Sequence, residues 1–215
     1  MDPDGRHNPS FTPIAGTAPA CATGGLRHLP WMVMLDSFLQ AFIPMFVGLA
    51  AWWRFREARR DAQDAMWAMM WLNLAGYATY LIYAAAPPWY VDRYGLGPAN
   101  LGALPEAAGA ARFDVLFGVT WFAEFYGRNA NVFGAIPSLH VGQSCLAVIF
   151  AWKLGSMRGV ATGFWAVVTF ASVYLNHHYL VDGFVGVVFA SAAAAAMMAW
   201  RRWRPVNGDG HEKAR

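Results

Sequence analysis

Gly134-Ala135-Ile136-Pro137-Ser138-Leu139-His140 and Asn176-His177-His178-Tyr179-Leu180-Val181-Asp182 are the two stretches from which the rest of the chain can be read. Each sits at the edge of long apolar runs: residues 137–153 follow the first, 159–176 lead into the second, and 179–200 leave it. Polar clusters in such places are either solvated or used. Three ionisable groups, His140, His178 and Asp182, at membrane depth or at its edge are costly and default to function.

Composition supports the membrane reading. At 215 residues the length suits one domain, but 57% hydrophobic residues, 11 Trp and only 13% charged residues are far from a soluble average. Crossing a hydrocarbon core takes roughly 17–25 residues of helix. Residues 31–53, 66–86, 159–176 and 179–200 meet that length, and 137–153 spans if Lys153 snorkels to the interface. Cys21 and Cys145 lie in unlike settings, so neither a disulfide framework nor a thiolate metal site is suggested. The net charge of +3 is modest, and no nucleic-acid partner is expected.

The connectors orient the runs. Residues 1–30 are rich in Pro and Gly, lack an apolar stretch long enough for a signal peptide, and read as a loose tail. Arg54, Arg56, Arg59 and Arg60 fill the first short connector, Lys153 and Arg158 the second, and Arg201, Arg202 and Arg204 follow the last run, which places all three in the cytoplasm. Residues 87–138 then lie outside. Within them 91–110 read as irregular, while 111–126 show an amphipathic period that suits a helix in the membrane plane. The expected fold is therefore all-α, a polytopic membrane helix bundle. It has about five transmembrane helices and an interfacial helix in the long outer loop. The catalytic domain covers 31–204, with 205–215 as a cytoplasmic tail. Trp31, Trp52, Trp53, Trp89, Trp200 and Trp203 fall at expected interfaces and read as belt residues. The alanine-rich stretch 190–196 suits close helix approach.

This topology brings His140, His177, His178 and Asp182 to one outer interface. His178 and Asp182, four apart, share a helical face, so the carboxylate can accept from one imidazole nitrogen while the other stays free to act as base or nucleophile. His140 supplies a separate acid. Ser138 can cap the helix that carries His140, and a cap also turns amide donors toward an anion. His177 is either a substrate contact or a structural residue. His7, His28 and His211 read as solvated. Two histidines in opposite roles require neither a metal nor an organic cofactor.

The motifs resemble those of the type 2 phosphatidic acid phosphatase superfamily, integral-membrane lipid phosphatases and phosphotransferases. That family's second motif is Pro-Ser-Gly-His, and its third places a histidine four residues before an aspartate, as His178 and Asp182 stand here. Pro87-Pro88-Trp89-Tyr90, Ala111-Arg112-Phe113-Asp114 and the two opening stretches look most like the branch containing fungal inositol phosphorylceramide synthase. The resemblance covers about residues 66–200. It implies that His178 attacks phosphorus, Asp182 holds its tautomer, and His140 protonates the departing oxygen, with phosphohistidine as the intermediate.

Two departures stand out. The family's first motif carries a lysine and an arginine before its proline, where this chain has Tyr83-Ala84-Ala85-Ala86. Its third opens with Ser-Arg, where this chain reads Ala171-Ser172. A phosphate centre still needs positive charge or amide donors. Arg112 is the first candidate for that role, followed by Arg93 and Arg128, with His177 as a neighbour.

The resemblance thus favours transfer of a phosphoryl headgroup from a phospholipid, such as phosphatidylinositol, to a lipid acceptor such as ceramide, on the non-cytoplasmic face of a multi-pass protein. A lipid phosphate phosphatase with water as acceptor would use the same residues. A proton-coupled transporter or channel is the reading of another class, disfavoured because the ionisable groups cluster at one interface. The family core has six helices against five expected here, so one helix is absent, supplied by a partner or a second copy, or lost before the numbered start.

Overall fold

The computed structural model describes residues 29–57, 61–100, 102–103, 111–127 and 132–203. The expected tails over 1–30 and 205–215 lie outside these residues, save Leu29 and Pro30. The regular structure described is helical, with one isolated parallel bridge between Ala85 and Gly134. In order the helices are α1 (Leu29–Gln40), α2 (Phe42–Ala51), α3 (Ala62–Ile82), α4 (Pro88–Tyr94), α5 (Ala111–Phe117), α6 (Trp121–Gly127), α7 (Leu139–Leu154), α8 (Arg158–Tyr174) and α9 (Leu180–Trp203).

Helix α7 is the hub. It packs against α2, α3, α8 and α9, and it buries residues on almost every side, among them Val141, Cys145, Leu146, Phe150 and Leu154. A helix apolar all round is one built to be surrounded. Against it, α9 turns a stripe of small residues: Asp182, Gly183, Gly186, Ala190 and Ala194. Of the alanine-rich stretch only Ala190 and Ala194 join that buried stripe, and the tightest approach is made by glycines nearer the head of α9. A second apolar cluster, Leu35, Leu39, Phe164, Val168, Ala171 and Leu175, joins α1 to α8.

Four expected elements come out differently, one of them the stretch expected to be irregular from 91, of which 91–94 complete α4, a helix that starts on Pro88, where a missing N–H costs nothing. The run over 31–53 is not one helix but α1 and α2, broken at Ala41 and continued by a π-helical turn, Trp52–Arg56. Pro44 is the reason: it lacks an N–H, and its ring crowds the carbonyl of Gln40 four residues back. The run over 66–86 begins earlier and ends at Ile82. Ala86 precedes Pro87 and so disfavours helix, and the backbone of Ala85 instead pairs with Phe133 and Ala135. The in-plane helix over 111–126 is two short helices, α5 and α6. Gly118, at φ 63°, breaks the period, and the buried Asp114 carboxylate caps α6 by accepting from the amides of Phe122 and Ala123 at 3.1 and 2.8 Å. Trp53, read as a belt residue, is fully buried, whereas Trp31, Trp52, Trp200 and Trp203 are exposed.

Among the described residues α9 is by itself long and apolar enough to cross a membrane, while α7 is apolar but shorter. The outer faces of α3, α8 and α9 are nonetheless apolar, exposing Trp67, Trp71, Leu81, Phe170, Phe184 and Val188. At the end of the bundle away from the histidines, Arg201 of α9 pairs with Asp61 and, at 2.5 Å, with Asp64; Lys153 of α7 lies 3.9 Å from Asp64. Ser156 donates to Glu57 beside them.

Candidate active site

The two opening stretches meet at the heads of α7 and α9. Ser138 is the N-cap of α7: its hydroxyl accepts from the Val141 amide at 3.4 Å, and its own amide donates to the Asp182 carbonyl at 2.9 Å. That backbone bond ties one motif to the other. His140 follows in the first turn of α7. On the other side α8 ends at Tyr174, Asn176 takes a left-handed φ of 60°, and the amides of His177 and His178 both donate to the Ser172 carbonyl, at 3.1 and 3.0 Å. The turn thereby leaves α8 with both imidazoles directed inward, and each of these histidines is 6% exposed.

His140 Nδ1 lies 3.1 Å from His178 Nε2. The other ring nitrogen of His178, Nδ1, lies 3.0 Å from the carbonyl oxygen of Ala135 and 3.6 Å from Asp182 Oδ2. A carbonyl can only accept, so Nδ1 of His178 is the donor in that contact, and in the neutral ring Nε2 is the bare nitrogen. His140 Nδ1 is then the donor between the two rings.

The expected pairing of Asp182 with His178 is present at 3.6 Å, but the Ala135 carbonyl stands closer to the same nitrogen. Asp182 is the third residue of α9, and its Oδ2 accepts from the amide of Tyr179 at 2.8 Å, the backward half of a capping box. Capping draws the carboxylate off the imidazole, leaving it as a buried negative charge beside the ring. The closer contact is a backbone atom. No side-chain pattern marks a carbonyl, so Ala135, though inside the first motif, carried no signal of this role.

Aromatic side chains wall the gap. The Phe42 ring centre is 4.6 Å from that of His140, the His177 ring is 6.3 Å from His140, and Tyr126 of α6 is 6.0 Å from His177. Gln40 donates to the Tyr126 hydroxyl at 2.6 Å, joining the end of α1 to α6. Phe42 and Tyr126 were not singled out by sequence, since each is one aromatic among many.

Of the expected phosphate-binding groups, His177 is within the cluster and Ser138 borders it with its hydroxyl turned to its own helix. Arg93 is on the exposed side of α4 with its guanidinium 5.7 Å from the Tyr94 ring. Arg112 falls in α5, which packs against α1, but its side chain is outside what the structure describes, and so is the whole of Arg128.

Facing imidazoles 3.1 Å apart beside a buried carboxylate suit the class of proteins that use histidine as acid, base or nucleophile. Comparison with known proteins narrows this. Residues 17–196 match the family model of the PAP2 superfamily, and the chain belongs to that superfamily. It is similar to a phosphoinositol dihydroceramide synthase of Bacteroides thetaiotaomicron, 35% identical over 165 residues that cover 74% of this chain and 50% of the relative. It is similar also to inositol phosphorylceramide synthase of Candida albicans, 34% identical over 54% of this chain and 25% of the relative. The catalytic subunit of the same synthase in Saccharomyces cerevisiae is 32% identical over 56% of this chain and 30% of the relative. The chain thus spans about half the length of these curated relatives or less. No solved structure matches it significantly.

Proposed function

We propose that this chain is a membrane phosphotransferase that moves a phosphoryl headgroup from a phospholipid, such as phosphatidylinositol, to a lipid acceptor such as ceramide. The observation that carries this reading is the 3.1 Å contact between His140 Nδ1 and the bare Nε2 of His178. The relatives, inositol phosphorylceramide and phosphoinositol dihydroceramide synthases, supply the substrate class.

In the first step His178 Nε2 attacks phosphorus, the bond from phosphorus to the diacylglycerol oxygen breaks, and His140 gives its Nδ1 proton to that oxygen. The headgroup phosphoryl remains bonded through phosphorus to His178 Nε2 as a phosphoramidate, and the Asp182 carboxylate offsets the positive charge developing on the ring. In the second step the acceptor hydroxyl passes its proton to His140, its oxygen attacks phosphorus, and the bond from phosphorus to nitrogen breaks. The substrate enters by displacing the contact between the two rings. Arg112 is the preferred cation for the phosphate oxygens.

Five membrane passes are proposed: α1 with α2 as one broken pass, then α3, α7, α8 and α9. Large apolar side chains exposed along α3, α8 and α9 support them, since a soluble monomer rarely shows so much contiguous apolar surface. The histidines lie at the end away from Arg54, Arg56 and Arg201, which supports a site on the non-cytoplasmic face.

The test is mass spectrometry of lipids after incubating purified protein with phosphatidylinositol and ceramide, beside a His178→Ala control. Phosphoinositol-bearing sphingolipid formed by the wild type alone is the expected result. If none appears but phosphatidic acid in a parallel tube yields diacylglycerol and free phosphate, the protein is a phosphatase and the transferase reading fails.

A further inference from the structure

The proton on His178 Nδ1 is held by the Ala135 carbonyl at 3.0 Å, closer than the Asp182 carboxylate at 3.6 Å. Whatever fixes that carbonyl therefore fixes which nitrogen of His178 is bare. Ala135 belongs to a non-helical strap over 133–138, fastened along its length. The Ala85 amide donates to the Phe133 carbonyl at 2.9 Å, the Ala135 amide donates to the Ala85 carbonyl at 3.2 Å, and the Ser138 amide donates to the Asp182 carbonyl. A side chain of α3, Tyr80, joins them. Its hydroxyl donates to the Pro137 carbonyl at 2.7 Å, and its ring underlies Gly134, where a Cβ would meet Tyr80 Cδ2 at 3.4 Å. Tyr80 thus grips the strap on both sides of Ala135.

We infer that Tyr80 is a positioning residue for the nucleophile: it holds the strap so that the Ala135 carbonyl keeps His178 in its Nδ1-protonated form, with Nε2 bare toward His140. This rests on the reading of His178 as the attacking group. A loosened strap lets the Ala135 carbonyl drift from Nδ1, and the proton then divides between the two nitrogens. Only the fraction bare at Nε2 attacks, so turnover falls while lipid binding is unaffected.

The test uses full-length protein with ¹⁵N-labelled histidine in phosphatidylcholine nanodiscs, the His178 signals being identified by their loss in His178→Ala. Tyr80→Phe keeps the ring under Gly134 and removes one hydrogen bond, and Tyr77→Phe, one turn away on an exposed face, is the control. The expected result is an Nδ1-protonated His178 in wild type and Tyr77→Phe, and a mixture of the two forms in Tyr80→Phe. With phosphatidylinositol and ceramide, kcat of Tyr80→Phe should fall in proportion to the fraction of His178 no longer bare at Nε2, from about twofold for an even mixture to about tenfold, with KM within about twofold of wild type. A wild-type His178 protonated on Nε2 overturns the inference, and so does a Tyr80→Phe spectrum like that of wild type. If the variant changes the tautomer while the wild type turns over no lipid, Tyr80 keeps its role and the proposed function falls. If lipid is transferred and the tautomer is indifferent to Tyr80, the reverse holds.

Discussion

Gly142 of α7 and Gly186 of α9 lie backbone to backbone: a Cβ on Gly142 would stand 3.0 Å from the Gly186 carbonyl oxygen, and one on Gly186 would run into the Ser138 carbonyl. Backbone atoms cannot swing aside, so α9 must retreat to admit even a methyl group. Gly186→Ala should lower stability by about 1–3 kcal/mol, as overpacking does. It should also lower turnover, because Ser138 and Asp182 are joined beside the same contact. Gly163→Ala, on α8 with nothing within 4 Å, is the contrast and should be neutral or stabilising. Thermal unfolding in detergent separates them, and equal midpoints would mean that the α7–α9 contact is looser than described.

Asp182 has two tasks that substitution can part. Asp182→Asn retains an oxygen to accept from the Tyr179 amide but removes the charge beside His178. It should fold with a near-native melting temperature and lose roughly 10²- to 10⁴-fold in kcat. Asp182→Ala should lose the cap as well, at about 1 kcal/mol. An Asn variant with full activity would reduce the carboxylate to a capping group.

His140 as proton donor makes a prediction about leaving groups. His140→Ala should slow transfer from phosphatidylinositol by roughly 10²- to 10⁴-fold. It should recover much of that loss in the first-turnover release of nitrophenol from a nitrophenyl phosphodiester, whose leaving oxygen needs no proton. His178→Ala should be inactive on both. Equal losses on both substrates in His140→Ala would assign His140 to orientation alone.

Arg112, Arg93 and Arg128 are told apart by saturation kinetics. Arg112→Ala should raise KM and lower kcat, and Arg112→Lys should restore part of both, since a lysine keeps the charge but not the bidentate geometry. Arg93→Ala, on the exposed side of α4, should change either by less than threefold or so if Arg112 is the phosphate cation. Unchanged turnover and affinity in Arg112→Ala would remove it from the site.

Gln143 and Asn73 form a polar pair across α7 and α3, at 2.7 Å, and Gln143 Oε1 has no partner among the described residues. Asn73→Leu alone strands the Gln143 amide and should cost about 1–3 kcal/mol. The double variant with Gln143→Leu should regain most of it, which a double-mutant cycle on unfolding midpoints would read.

The parts of the fold legible in the sequence are those fixed by run length. Helices α7, α8 and α9 begin and end within a few residues of the apolar runs over 137–153, 159–176 and 179–200, because Pro137, Lys153, Arg158 and Arg201 bound them chemically. Hydrophobicity is blind to backbone continuity, however. Pro44 sits in a run as apolar as any other, and the amphipathic period passes through Gly118 unbroken although the helix does not. The convergence of His140, His177, His178 and Asp182 followed from topology and helical spacing. What spacing could not reveal was competition for Asp182 from the Tyr179 amide, nor a grip exerted by Tyr80 from another helix on the strap before His140.

The ion cluster on Arg201 has a consequence for the opposite end of the molecule. From Asp182 to Arg201 the chain is unbroken helix, about 28 Å long at the usual rise, close to the ~30 Å depth of bilayer hydrocarbon. With its foot fastened to Asp61 and Asp64, α9 is a ruler: it sets how far the histidines stand above the far surface, independently of any loop. With the passes and the nucleophile as proposed, a bilayer of matching thickness would bring headgroups level with His178, whereas one several ångströms thicker would require them to be drawn inward before chemistry begins.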